Sequence, residues 1–202
     1  MPHVRTPVLA PPPARRSSRG FSLVEVLVSI VVLSIGVLGA VGMQLASLQA
    51  SKEVRYQAVA GSMIRELAEK MRGNHAVAME KTAAMNPYLI SVTLPRTATV
   101  PTPLQNCYTA AAGCAAPIDI ANWDIADWQR RLRNALPAPR VEVCLDSAPY
   151  VAGVPRWNCN GLGDVVVVKL AWTREDSKGE LITAASASAV PLLVLPLTAG
   201  SL

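Results

Sequence analysis

From residue 26 to residue 51 the chain carries no charged side chain. A helix needs about 20 predominantly apolar residues to cross a bilayer, so this run is long enough to do so. It is also longer than the roughly 7–15 apolar residues of a secretory signal. Just before it stand Arg5, Arg15, Arg16 and Arg19, with no acid among residues 1–20. Positive charge stays on the cytoplasmic side, which predicts that everything after Ser51 lies across the membrane. Residues 1–20, with Pro11-Pro12-Pro13, lack any apolar period and read as a disordered leader.

The formal charge of +5 belongs mostly to that leader. Of the 19 Lys and Arg, four lie in residues 1–20, leaving 15 against 14 Asp and Glu, a net of +1. Such a body argues against nucleic-acid binding, which needs a basic patch. Arg130-Arg131-Leu132-Arg133 is the one basic cluster, and it reads as a solvated helix face. The four cysteines, Cys107, Cys114, Cys144 and Cys159, all follow the apolar run. An even number in an exported domain favours disulfides, with three connectivities open.

No proline interrupts residues 21–72, so the helix is predicted to continue past the membrane half into an amphipathic half, residues 52–73. Val54, Ala58, Gly61, Ile64, Leu67, Ala68 and Met71 form its apolar stripe, and Gly73-Asn74 its stop. Residues 74–202 are predicted to form a globular α+β domain. A strand is expected at 88–94, a helix at 118–136 ended by Pro137, and strands at 140–145, 164–173 and 181–195. Residues 175–180 suit a hairpin turn between the last two strands, with Pro191 implying an edge or a break. Trp128 and Trp172 fall on apolar faces and belong to the core. Trp157, beside Arg156 in a loop, is the tryptophan open to a partner.

One acid stands at the mouth of the apolar run. A carboxylate in or near a bilayer costs a few kcal/mol unless paired or protonated, so Glu25 needs a reason. A cut after Gly20 would give Phe21 a free amine four residues before Glu25. The cut would also remove the arginines. The segment RGFSLVEVLVSIVVLSIGVLGAVGMQ resembles the class III leader and N-terminal methylation motif of type IV pilins and pseudopilins. That resemblance implies a pilin fold, one long N-terminal helix packed on a small antiparallel sheet. It implies cleavage between Gly20 and Phe21 by a prepilin peptidase, methylation of the new Phe21 amine, and an assembly role for Glu25 against a neighbour's amine. Gly36, Gly39 and Gly42 stand where many major pilins carry a helix-bending proline. They allow either local unwinding or close packing.

In the globular half, Cys107-x6-Cys114, then WQRRLRNALP, then VEVCLDS and WNCNGLGDVVVVKLAW resemble PilV-type minor pilins. This implies bridges Cys107–Cys114 and Cys144–Cys159. A four-cysteine zinc site is the rival, but gaps of six and fourteen residues do not fit the short pairs of zinc fingers. No nucleophile elbow, C-x-x-C pair or phosphate loop stands in the sequence, and the body holds one histidine, His75. GLGD, residues 161–164, reads as a turn, not a calcium loop. The expectation is a non-enzyme without cofactor or metal, a minor pilin that primes or tips the filament. Its partners would be the prepilin peptidase, other minor and major pilins and the inner-membrane assembly platform. It would lie in the bacterial inner membrane with a periplasmic domain, then in the pilus. The alternatives are a minor pseudopilin of a type II secretion system and an envelope binding protein held by an uncleaved signal anchor.

Overall fold

The computed structural model describes residues 20–102, 107, 113–114, 116–176 and 179–197. Most of the expected leader, residues 1–19, lies outside the described residues. The chain divides into two compact units, Met1–Leu48 and Gln49–Leu202. Helix α1, Leu23–Gly73, contributes to both. In the first unit every described residue is exposed, Leu23, Ile35 and Leu38 among them. The helix runs unbroken through Gly36, Gly39 and Gly42, without local unwinding, and all three face open space.

In the second unit, α1 is amphipathic and buries Ala60, Met63, Ile64, Leu67, Ala68 and Met71. The helix stops at Gly73; the Asn74 backbone N–H closes its last turn on the carbonyl of Lys70 at 3.1 Å, and the Asn74 side chain donates to the carbonyl of Pro117 at 2.7 Å. The upper part of the expected stripe is displaced. Val54 is 65% exposed and Ala58 is also exposed, while Tyr56 and Val59 pack against the core. Both registers have helical period, and only the position of the packing partners separates them. A short helix α2, His75–Ala78, follows.

Helix α3, Pro117–Ala135, agrees with the predicted helix to within one residue at each end. Proline is suited to its first position, where no intrahelical N–H bond is lost. Its end is set by Pro137, which disfavours helical backbone at the residue before it; Leu136 is accordingly extended. Strands β1 (Ile90–Thr93), β2 (Arg140–Leu145), β5 (Val166–Ala171) and β8 (Leu193–Leu197) form one antiparallel sheet in the order β1-β2-β5-β8. The long helix packed on this sheet is the α+β arrangement of a pilin fold.

Register places Val141, Val143, Leu145, Val166, Val168 and Leu170 on one face. They pack with Ile64, Leu67 and Met71 of α1 and Ile125, Trp128 and Leu132 of α3 into one core. Trp128 is fully buried, and its indole N–H donates 2.8 Å to the carbonyl of Met63. Trp172 is core as expected, 1% exposed.

The last expected strand is split. Leu181–Ile182 (β7) pairs only with Arg174–Glu175 (β6) in a two-residue ribbon, and β8 alone returns to the main sheet. The hairpin turn at 175–180 therefore closes the ribbon, not the sheet; residues 177–178 lie outside the described residues. Pro191 marks the break between the two segments. A second ribbon, Tyr150–Val151 (β3) with Val154–Pro155 (β4), was not apparent in the sequence. Its turn has Ala152 and Gly153 at φ 49° and 80°, the left-handed pair of a type I′ hairpin.

The opposite sheet face is covered by the segment from Asp146 to Cys159, between β2 and β5. Trp157 is buried, not a free contact residue: it is 9% exposed and its indole donates to the carbonyl of Ala189 at 2.7 Å. Beneath this segment Lys169 is completely buried, bonded to Asp146 at 2.6 Å and to the carbonyls of Trp157 and Asn158. A lysine within an all-buried strand is tolerated because every donor on it has an acceptor.

Burial alone would raise the Asp146 carboxyl, but the Lys169 bond, the Ala148 N–H and nearby positive charge hold it below the usual range. A depressed folded pKa means this stabilisation is complete above the unfolded value, near 3.9. It is lost as pH falls through the folded value. Denaturant titrations of the full chain in detergent at pH 7 and pH 3 should show this loss. Asp146→Asn should be less stable by about 3–5 kcal/mol at pH 7, because a buried ammonium loses its counter-ion. It should also show a smaller acid-dependent drop than the parent chain.

Candidate assembly motif and stapled loops

The N-terminal motif is built on the first turns of α1. Gly20, Phe21 and Ser22 precede the helix in non-helical backbone, and Phe21 is 82% exposed. Glu25 lies in the first helical turn, where the aligned peptide dipoles favour negative charge. Phe21, Glu25, Ser29 and Leu33 follow one another at four-residue steps and line a shallow groove of about 330 Å³ with Val26 and Ile30. The Ser29 and Ser34 hydroxyls donate back to the carbonyls of Glu25 and Ile30, at 2.6 and 2.7 Å. These bonds satisfy polar groups within an apolar segment. The Glu25 carboxylate, by contrast, has no hydrogen-bond or ion-pair partner among the described residues. The helix is apolar enough to cross a membrane, with mean hydropathy 2.6 over its best window.

Residues 15–41 match the family model of the prokaryotic N-terminal methylation motif. The motif indicates a type IV pilin- or pseudopilin-like chain. Proteins of this kind are structural rather than enzymatic. The motif implies processing by a prepilin peptidase and assembly with pilins in a membrane. The match ends within α1 at residue 41 and does not extend into the globular body. No curated protein and no solved structure matches the chain.

The body holds the four cysteines as two local bridges. Cys107 pairs with Cys114, seven residues on, and Cys144 with Cys159, fifteen residues on. The second joins β2 to the segment before β5 and encloses the β3–β4 ribbon. Arg156 supports the same loop, donating from Nε to the carbonyl of Ala148 at 3.0 Å, and Ser147 and Asn160 bond to each other twice. Glu142, Cys144 and Cys159 place three potential ligand atoms within 4.8 Å, but both sulfurs are committed to the bridge. The GLGD turn brings Asp164 to Lys81 at 2.8 Å, a surface ion pair.

The basic cluster of α3 is engaged in ion pairs. Arg130 and Arg131 bond to Asp127, and Arg131 reaches Glu66 of α1 through two guanidinium nitrogens. Arg133 donates to the carbonyl of Ala98 at 2.6 Å. Lys70 and Tyr88 meet on the buried Asp124, at 2.5 and 3.2 Å, completing a polar layer between α1 and α3. Burial and the Asp124 charge both push the Tyr88 hydroxyl pKa upward, so it stays a donor. Beside α3 a cavity of about 460 Å³ is lined by aliphatic groups such as Leu89, Ile118 and Ile125, with Asp119 and Gln129 among its polar residues.

Sequence reasoning did not reveal the Lys169–Asp146 pair or the setting of Trp157. A signal for the first was present: a lone lysine inside VVVVKLAW has no place in a buried strand without an acid. Opening the Cys144–Cys159 bridge with paired alanines should cost about 3 kcal/mol by loop entropy. Equilibrium denaturation of the full chain, compared with the parent under non-reducing conditions, measures it.

Proposed function

We propose that the chain is a minor pilin of a type IV pilus, close to the PilV type, acting in priming or at the tip of the filament. The carrying observation is the methylation motif at residues 15–41 together with an exposed Glu25, without a partner among the described residues, in the first turn of an apolar helix. On this reading residues 1–20 are the leader, 21–51 the membrane and filament-core half, 52–73 the amphipathic half, and 74–202 the exported domain. The peptidase cuts between Gly20 and Phe21, where the backbone precedes the helix, and methylates the Phe21 amine. The chain is a substrate and building block rather than an enzyme.

The physical logic lies in charge. Loss of the leader removes four arginines and creates one cationic amine. Glu25 of an incoming subunit then faces the amine of a neighbour. In an apolar medium such a pair attracts far more strongly than in water. Neither charge is favourable in lipid alone, so assembly relieves both. The disulfide-held body keeps its shape outside the cytoplasm and presents the surface that other pilins meet.

Mass spectrometry of the N-terminal peptide from the native host should find it starting at Phe21 and bearing one added methyl group. An intact leader would sink the assignment. Glu25→Ala should leave cleavage largely unchanged, yet reduce the amount recovered in sheared filaments by about tenfold or more, the loss of roughly 1.4 kcal/mol or more. Recovery with secretion-system pseudopilins instead of pilus subunits would select the pseudopilin reading.

A further inference from the structure

The outer face of β2 carries a pair of opposite charges that do not meet. Arg140 and Glu142 are two residues apart on the strand, hence on the same face and about 7 Å apart along it. No ion pair joins them among the described residues. Each is held by a neighbour without net charge. The Arg140 guanidinium lies over the Trp157 ring, 4.1 Å from its centroid, and makes no hydrogen bond among the described residues. The Glu142 carboxylate accepts from the Ser91 hydroxyl at 2.6 Å.

The cation that should neutralise Glu142 is turned elsewhere. Register sets Lys169 directly across from Glu142, where opposite charges ordinarily pair. Its ammonium instead bonds to Asp146 and two backbone carbonyls beneath the sheet cover. Trp157, which supports Arg140, is itself fixed by its bond to Ala189. The result is a polar cleft of about 350 Å³, lined by Ser91, Arg140, Glu142, Trp157, Asn158 and Cys159. Both charges are half-buried and preorganised, one with an open guanidinium fork and one with free carboxylate lone pairs.

We propose that this cleft binds a ligand carrying a carboxylate and an ammonium together, the carboxylate on Arg140 and the ammonium against Glu142. An isolated anion would meet the Glu142 charge, and an isolated cation would meet Arg140. A dipolar ligand satisfies both and leaves neither half-buried charge uncompensated. The source is either a small free zwitterion, such as an amino acid, or adjacent opposite charges on a peptide.

Titration calorimetry on the full chain in non-ionic detergent at low salt tests this. The probes are β-alanine, acetate, ethylammonium and an end-capped peptide with neighbouring lysine and aspartate. β-Alanine or the peptide should bind about tenfold or more tighter than either single-charge probe, as expected for two charge-assisted contacts over one. The tighter of the two identifies the source. Glu142→Gln, which retains an acceptor for Ser91, should erase the preference for the dipolar probe over acetate. Arg140→Lys should weaken all carboxylate probes through loss of the fork. Near-UV circular dichroism of both variants should match the parent, showing that the Trp157 packing survives. Equal affinity for acetate and β-alanine, unchanged by Glu142→Gln, would reduce the cleft to a plain anion site and overturn the proposal. Absence of binding by both dipolar probes would overturn it as well.

Discussion

Trp128 meets Met63 through two kinds of contact at once, and the body is organised around that meeting. The indole fills the centre of the core with no exposed surface, while its N–H bonds to a carbonyl on α1. Removing so large a buried side chain costs about 3–5 kcal/mol, a large share of the stability of an ordinary domain. The directional bond to the carbonyl of Met63 helps set where along α1 the third helix docks. Around it, the Arg131–Glu66 and Lys70–Asp124–Tyr88 contacts repeat the same register in polar form. A slip of one turn would break all of these contacts at once.

The sheet transmits this order to its other side. Alternation along β2 sends Val141, Val143 and Leu145 to the helices and Arg140, Glu142 and Cys144 outward. Strand β5 has no such alternation and is buried on both faces, so its outer side must be covered. The segment from Asp146 to Cys159 supplies the cover, fastened by a disulfide and by the Lys169–Asp146 pair. Burying an ion pair is expensive, and here it fixes the loop in one place instead of adding much net stability. That choice diverts Lys169 from Glu142 and leaves the charged cleft open.

Much of this was legible in the chain itself where local chemistry is strong. The end of α1 at Gly73, the proline-bounded limits of α3 and the strand at 140–145 follow from turn residues and alternation. The N-terminal motif is legible because its parts lie within a few residues of each other. Less legible were features that depend on distant partners. Val54 and Ala58 are small and apolar, so they suit either face of a helix; the extent of the body beneath decides that they are exposed. Residues 181–195 are uniformly strand-like, and only competition for the open edge of β5 selects 193–197. Trp157 sits between polar residues in a loop, and its burial depends on Ala189 and Arg140, which are far away in sequence.

The sequence alone determined that one helix is shared between an apolar setting and a folded body, because charge-free length and helical period are local properties. It also determined that Glu25 stands at the apolar mouth, four residues from the Phe21 backbone nitrogen. Tertiary structure decided which face of α1 is covered, which cysteines are neighbours, and which acid Lys169 chooses. Those outcomes are set by three-dimensional competition for a few partners. Lys169 has Glu142 opposite it in the ladder and Asp146 beneath the cover, and it takes the buried acid, where two carbonyls can share its remaining protons.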